Sequence, residues 1–320
     1  MKISIIIPTY NDKDNLEKCL SAILNSSYKP YEVIVIDDAS TDNSKEVVDK
    51  FGYKYIRLEK NSGQATARNA GVKIAKGDIL FFIDSDVGIR KDTIAKVAKA
   101  YEDPKIKVYQ GIASKTPLNK GFGPELMALR WYYLLHKIRE ASFVYSHVFS
   151  IRKSIFDEIG GFNESFKHPG AGEEFEIGHR LRKKYLIYTD PELLVEHRFQ
   201  NILPRAHTLY KRAYIWASLF SKTKRFEKTN ASLKEALIGG FDILVIISII
   251  LSIFDPLFFY PFIFFLVIQT ILNSGFYFFL LREKGMSFML KSIIPNMLWS
   301  IVQILGAVDF YIKRWAGIIK

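Results

Sequence analysis

Four short apolar runs, Ile3 to Ile7, Val33 to Ile36, Tyr53 to Leu58 and Ile79 to Ile83, are separated by stretches of helical period. That alternation predicts an α/β domain with a mainly parallel central sheet, because strands covered on both faces read as continuous apolar runs. Asp14 with Glu17, and Asn43 with Glu46, have capping-box spacing and mark the first two helix starts. Ligands of such sheets gather beyond the carboxyl ends of the strands. Polar residues fall there: Pro8-Thr9-Tyr10-Asn11 after the first strand, Asp37-Asp38 after the second and Asp84-Ser85-Asp86 after the fourth.

Past residue 232 the pattern changes. Leu257 to Leu281 is 25 residues without a charge, which as a helix at about 1.5 Å per residue exceeds the roughly 30 Å hydrocarbon core of a bilayer. Leu237 to Phe254 is a shorter apolar run carrying Asp242, and Asp255-Pro256 between the two is a turn signal, so the pair predicts a helical hairpin. A third segment, about 290–310, is crowded by Lys291, Pro295, Asn296 and Asp309; it spans, re-enters or lies at the interface. The expected division is a catalytic body over 1–232, with a basic membrane-proximal stretch from about 198, and a membrane domain over 233–320, with spans near 237–254 and 257–281.

Charge sharpens this picture. The chain carries a net +12, and Arg198, Arg205, Lys211, Arg212, Lys222, Lys224 and Arg225 lead into the first apolar run. Next to membrane segments, such a stretch points to anionic lipids rather than nucleic acid, each cation near an anionic leaflet contributing about 1 kcal/mol, with a merely solvated face as the competing reading. Arg225, Lys228 and Lys234 before the hairpin, with Arg282 and Lys284 after it, orient both ends toward the cytoplasm. The amino-terminal apolar run is too short for a signal-peptide core, and the single cysteine, Cys19, fits a reducing compartment. The expectation is an integral membrane protein whose body lies on the cytoplasmic face of the cell membrane.

Asp84 and Asp86 are two carboxylates that repel each other unless a cation or protons neutralise them. A divalent metal does so, since Mg2+ or Mn2+ takes one or two carboxylates together with substrate phosphates. A solvated acidic turn is the competing reading of an isolated D-x-D, and its place after a buried strand favours the metal.

The segments SIIIPTYN, VIVIDDASTDNS, NSGQATARNAGVKIAKGDILFFIDSD, IGGFNESF and GEEFEIGHRLRKK stand in the order and spacing of family 2 glycosyltransferases. Roughly residues 1–200 resemble that family. The resemblance implies a GT-A fold, a nucleotide-sugar donor and a divalent metal. It assigns Pro8, Thr9, Tyr10, Asn11 and Asp38, with Asp37 beside them, to the nucleoside. Arg68 would lie near the donor phosphates, and Asp84, Ser85 and Asp86 would form the D-x-D element. In some similar enzymes a histidine after a late strand also binds the metal, which makes His197 a third candidate ligand or an ordinary buried histidine. The family's acidic pair falls on Glu173-Glu174, where the second acid is normally aspartate. Glu174 is then the candidate general base, with Glu173 in reserve, although acids in a first helical turn are also favoured by the helix dipole.

The base bears on the acceptor. A hydroxyl must lose its proton as the new bond forms, whereas a lipid phosphate is already ionised, so this element favours a hydroxyl on a membrane-associated, lipid-linked glycan. The resemblance implies inverting chemistry, and the expected reaction is metal-dependent transfer of one sugar. The rivals are transfer to a polyprenyl phosphate, a processive polysaccharide synthase and a non-catalytic sugar-sensing scaffold. A Q-x-x-R-W element expected of the synthases is absent; Lys211 to Trp216 is the nearest approach. The aromatic and basic stretch Gly121 to Ala141 reads as an interfacial helix or as core packing.

Overall fold

A computed structural model of the chain describes residues 1–29, 31–166, 172–223 and 232–318. Two compact units emerge, one of residues 1–120 and 135–199, the other of residues 121–134 and 200–320.

The first unit opens with strict alternation: β1 (Ile3–Thr9), α1 (Lys13–Leu24), β2 (Tyr31–Asp37), α2 (Ser44–Phe51), β3 (Lys54–Arg57), α3 (Gln64–Ile74) and β4 (Ile79–Ile83). There follow β5 (Val87–Gly88), α4 (Thr93–Ala100) and β6 (Val108–Ala113). After α5 (Phe122–Leu135), which belongs almost wholly to the second unit, come β7 (Val148–Arg152), α6 (Lys153–Glu158), α7 (Glu173–Leu181) and β8 (Ile187–His197). The sheet order is β3-β2-β1-β4-β7-β6-β8-β5. The β3-β2-β1-β4 half is parallel, and β7 enters antiparallel to both β4 and β6. Strand order reverses direction at β1, which has β2 on one side and β4 on the other. Register sets Thr9 opposite Asp37, so two of the predicted polar strand ends meet at this switch point.

Every residue of β1 and β4 is buried, which is why both read as uninterrupted apolar runs. Helix α3 lies close on the sheet at Gly71, where an added Cβ would come within 2.6 Å of Ile6 and 3.2 Å of Ile36. Glu32 ties three segments near the strand starts, accepting from Ser4 Oγ at 2.7 Å, Lys54 Nζ at 2.6 Å and the Lys76 N–H at 2.6 Å.

The two capping boxes do not form. Helix α1 begins at Lys13, which leaves Asp14 inside the first turn, and Asn43 flanks α2 without a side-chain cap bond. Tertiary contacts claim the neighbouring polar groups instead. Asp12 accepts from Ser85 Oγ, and Asp42 accepts from the Lys13 N–H at 3.0 Å. The acids Asp14 and Glu46 still complement the helix dipoles.

The second unit consists of α5, α8 (Ile202–Thr223), α9 (Leu233–Leu251), a 3-10 turn at Pro256–Phe258, α10 (Phe259–Lys284) and α11 (Met286–Trp315). Two helical stretches, Pro256–Lys284 and Met286–Trp315, are long and apolar enough to cross a membrane. Helix α9 includes Lys234, Glu235 and Asp242 in its 19 residues, and Asp242 is buried and accepts from Ser300 Oγ of α11. The third segment is one helix of 30 residues with Pro295 inside it. Side chains such as Ile271, 65 % exposed, and Ile294, 77 % exposed, present an apolar outer face. Lys224, Arg225 and Lys228, and the side chain of Lys222, lie outside the described residues.

Helix α5 is knitted into this unit. Arg130 is buried and donates to Glu235 at 2.5 Å and Asn296 at 3.3 Å, and Tyr133 packs on Phe276. Arg130 and the buried Leu126 to Leu129 therefore follow the core-packing reading, whereas Trp131 and Leu134 stay half-exposed.

Candidate functional site

The loops after β1 and β2 are stitched to each other. The Asp38 N–H donates to the Thr9 carbonyl at 2.9 Å, the Asn11 N–H to Ser40 Oγ at 2.9 Å, and the Thr41 N–H to Asn11 Oδ1 at 2.7 Å. Asn11 and Ala39 both have positive φ, 50° and 65°, a conformation that non-glycine residues rarely hold outside over-determined sites. Pro8 and Thr9 belong to β1 itself, and Tyr10 is exposed. Asp37 is buried and accepts from the Ser40 N–H at 2.8 Å and Tyr55 at 2.5 Å. Asp38 accepts from the N–H groups of Ser62 at 2.7 Å and Gly63 at 2.8 Å, which fixes the turn leading into α3.

Helix α3 carries Arg68, which is fully buried rather than at a helix surface. Its Nη2 donates to Asp84 Oδ1 at 2.7 Å and to Ser146 Oγ at 3.0 Å, and its Nη1 lies 3.6 Å from Glu173 Oε1. Ser146 in turn donates to Glu174 Oε1 at 2.5 Å. One arginine thus joins the D-x-D acid, by a chain of hydrogen bonds, to the acidic pair at the start of α7. Glu173 is 1 % exposed and faces Arg68, whereas Glu174 is only partly buried.

Asp84, Asp86 and His197 each offer one ligand atom, and the three atoms lie within 4.8 Å of one another. His197 reaches this point because β5 pairs antiparallel with β8, setting Val87 opposite it. Two carboxylate oxygens and an imidazole nitrogen, partly exposed, fit a hard or borderline divalent cation such as Mg2+ or Mn2+. No hydrogen-bond partner among the described residues occupies His197 Nδ1, and Nε2 stands 3.6 Å from Asp86.

The electrostatics show how concentrated the negative charge is. Burial works against the Asp84 charge, but the Arg68 guanidinium outweighs it and holds this carboxyl below its usual value. Asp86 is pushed up by burial, by Asp84 and by Asp12, with His197 opposing. Burial and then the same three acids drive the Cys19 thiol far upward, so it stays a packed, protonated group whose Sγ lies 3.7 Å from the Asp84 carbonyl.

Sequence reasoning missed Ser146 and His147. His147 packs edge-on against the His197 ring at 5.0 Å between centroids, and Phe199 flanks that ring at 4.9 Å. A polar Ser-His pair inside the apolar stretch Phe143 to Ile151 is the signal that could have found them. Missed too was Asp12, which receives the Ser85 hydroxyl at 2.8 Å. A hollow of about 550 Å³, the size of a small-ligand pocket, is lined by Asn11, Asp12, Asp42, Asn119 and Arg198 among others. Of the predicted donor residues only Asn11 reaches it.

An open α/β sheet that brings the acids after β4 together with a histidine at the end of β8 has a GT-A-like glycosyltransferase fold. Residues 4–160 match the family model described as glycosyl transferase family 2, and the chain carries that domain. The dolichol-phosphate mannosyltransferase of Pyrococcus furiosus is 31 % identical over 206 residues, 62 % of this chain and 56 % of that protein. The poly(ribitol-phosphate) beta-glucosyltransferase of Bacillus spizizenii is 36 % identical over 104 residues, 30 % of this chain and 16 % of that protein. The chain thus spans little more than half of the length of one relative and a sixth of the other. Among solved structures, the mannosyltransferase PcManGT of Pyrobaculum calidifontis, in complex with GDP-Man and Mn2+, superposes with a TM-score of 0.59 at 18 % identity, covering 97 % of this chain and 86 % of that one.

Proposed function

We propose that this chain transfers a single sugar, with inversion, from a nucleotide-sugar to a hydroxyl of a membrane-associated, lipid-linked glycan. The observation that carries the reading is the convergence of Asp84, Asp86 and His197 within 4.8 Å, joined through Arg68 and Ser146 to Glu174. Support for a membrane location comes from the two long apolar helices, and the body is assigned to the cytoplasmic face on the charge flanking them. Anionic lipids and the acceptor are the expected membrane partners.

In this reading Asp84, Asp86 and His197 hold Mg2+ or Mn2+, which when bound neutralises the donor diphosphate as a Lewis acid. The loops of Pro8 to Asn11 and Asp37-Asp38 orient the nucleoside. Arg68 balances the charges of Asp84 and Glu173 and fixes Ser146. Glu174 takes the proton of the acceptor hydroxyl as its oxygen bonds to the anomeric carbon, and the carbon–oxygen bond to the diphosphate breaks with its electron pair. Glu174 suits this role better than Glu173, which is buried against Arg68.

The second reading is transfer to a polyprenyl phosphate, which the likeness to the Pyrococcus protein favours. One experiment separates the two. The full chain in nanodiscs is given a panel of nucleotide-sugars, Mn2+ and lipid extracts, and metal binding is followed in parallel by paramagnetic resonance. Asp86→Asn is expected to lose metal binding and transfer together. Glu174→Gln is expected to lower transfer to a hydroxyl by about 10²- to 10⁴-fold while metal and donor binding persist. Full turnover of Glu174→Gln with polyprenyl phosphate would establish the second reading, and metal-independent transfer would overturn the metal assignment.

A further inference from the structure

Arg205 of α8 is 8 % exposed, and no acid among the described residues pairs with it. Its Nε has no hydrogen-bond partner among the described residues. The charges nearest it are both positive, Arg212 two turns along the same helix and Arg130 from α5. Arg130 has its own counterion in Glu235. Burial first, then these two guanidiniums, all press the Arg205 pKa down, yet an arginine does not give up its proton in a protein. A buried cation in this position calls for an anion from outside the described chain, since unpaired charge is poorly tolerated away from water.

The surroundings indicate what kind of anion. Arg205 and Arg130 line a small void together with Trp131, Leu134, Leu209 and Gln303, so cations and apolar side chains share one wall. Its volume, about 10 Å³, admits about one water, so an anion meets Arg205 at the opening rather than inside. A soluble anion gains nothing from Trp131, Leu134 and Leu209. A phosphate attached to a hydrocarbon chain uses both halves of the wall.

We propose that Arg205 is the centre of a binding site for the phosphate of an anionic membrane lipid, with the lipid's first carbons along the half-exposed Trp131 and Leu134. The proposal rests on the membrane reading above and turns its general attraction for anionic lipid into one buried site. Two sources supply this chemistry, the headgroup of an anionic phospholipid and the phosphate of a polyprenyl carrier.

The test uses the full chain in phosphatidylcholine nanodiscs supplemented with phosphatidylglycerol in one arm and a polyprenyl phosphate in the other, with retained lipid counted by native mass spectrometry. Wild type is expected to retain one phosphate lipid, and the arm in which it does so names the source. Arg205→Met, which keeps the volume and removes the charge, is expected to lower retention at least tenfold, Arg205→Lys less, and Lys211→Met, an exposed cation of the same helix, not at all. Equal retention by wild type and Arg205→Met, equal loss in Lys211→Met, or retention in neither arm would overturn the site. Mn2+ binding reports folding of the variants. Should Arg205→Met fail to fold, the lipid-dependent rise in Tm decides: it is expected to be smaller in Arg205→Lys than in wild type, and an equal rise overturns the site. Loss of sugar transfer with lipid retention intact would strike the catalytic reading alone.

Discussion

At the scale of single residues, the metal group depends on how firmly His197 is held. Its ring is gripped between His147 and Phe199, at 5.0 and 4.9 Å, which limits the rotation that would carry Nε2 away from Asp86. Groups that orient a ligand are worth about 10- to 100-fold in metal affinity. His147→Ala is therefore expected to weaken Mn2+ binding by about tenfold, whereas His147→Phe, which restores an edge-on ring, should keep most of it. A direct Mn2+ titration checks this without reference to turnover, and an equal loss in both variants would assign His147 a role beyond packing. His197 came only through the family resemblance, whereas Asp84 and Asp86 were legible in the sequence because they follow a buried strand. The burial of Arg68 was not, since its partners Asp84, Ser146 and Glu173 lie up to 105 positions away and no local period reports such contacts.

At the scale of elements, β1, β2 and β4 could be read directly because burial on both faces leaves no polar alternation to confuse. The helix caps could not, because α1 starts one residue before Asp14 and the neighbouring acids Asp12 and Asp42 bond to other segments. Glu32 is an element-level device of the same kind. Burial opposes its charge, but Lys54, the Ser4 hydroxyl and the Lys76 N–H together hold its pKa down to about 2 from an ordinary 4.5. A depressed carboxylate adds stability that is fully present above its unfolded pKa and is lost as pH falls through the folded one. Glu32→Gln is thus expected to lower Tm at neutral pH. The gap from wild type should narrow steadily between about pH 4.5 and pH 2, followed by thermal melts across that window. A gap independent of pH would mean that the charge of Glu32 does not stabilise the sheet.

At the scale of the whole chain, the outer face of the second unit is apolar over several turns of α9, α10 and α11. Each large aliphatic or aromatic side chain removed from water contributes about 1.5–3 kcal/mol, so a handful matches the ~5–15 kcal/mol that holds a typical domain together. The chain is expected to stay in the membrane pellet through an alkaline carbonate wash and to be released by detergent; recovery in the wash would count against insertion. The sequence marked this region by its missing charges, yet it ranked the third segment below the first. Of the polar residues in Met286–Trp315, Ser292, Asn296 and Ser300 turn inward, and exposed Lys291 and Arg314 lie toward its two ends.

Gly71 bears on how sensitive the donor site is to change. Helix α3 rests on the sheet over Ile6 and Ile36 only because residue 71 lacks a side chain, and Arg68 projects from the same helix one turn earlier. The height of a whole helix above the strands, and with it the reach of a guanidinium toward Asp84, is set by the absence of one methyl group. A volume increase deep in the aliphatic layer therefore acts at the rim as a displacement of charge, with every acid and base in the site left chemically intact.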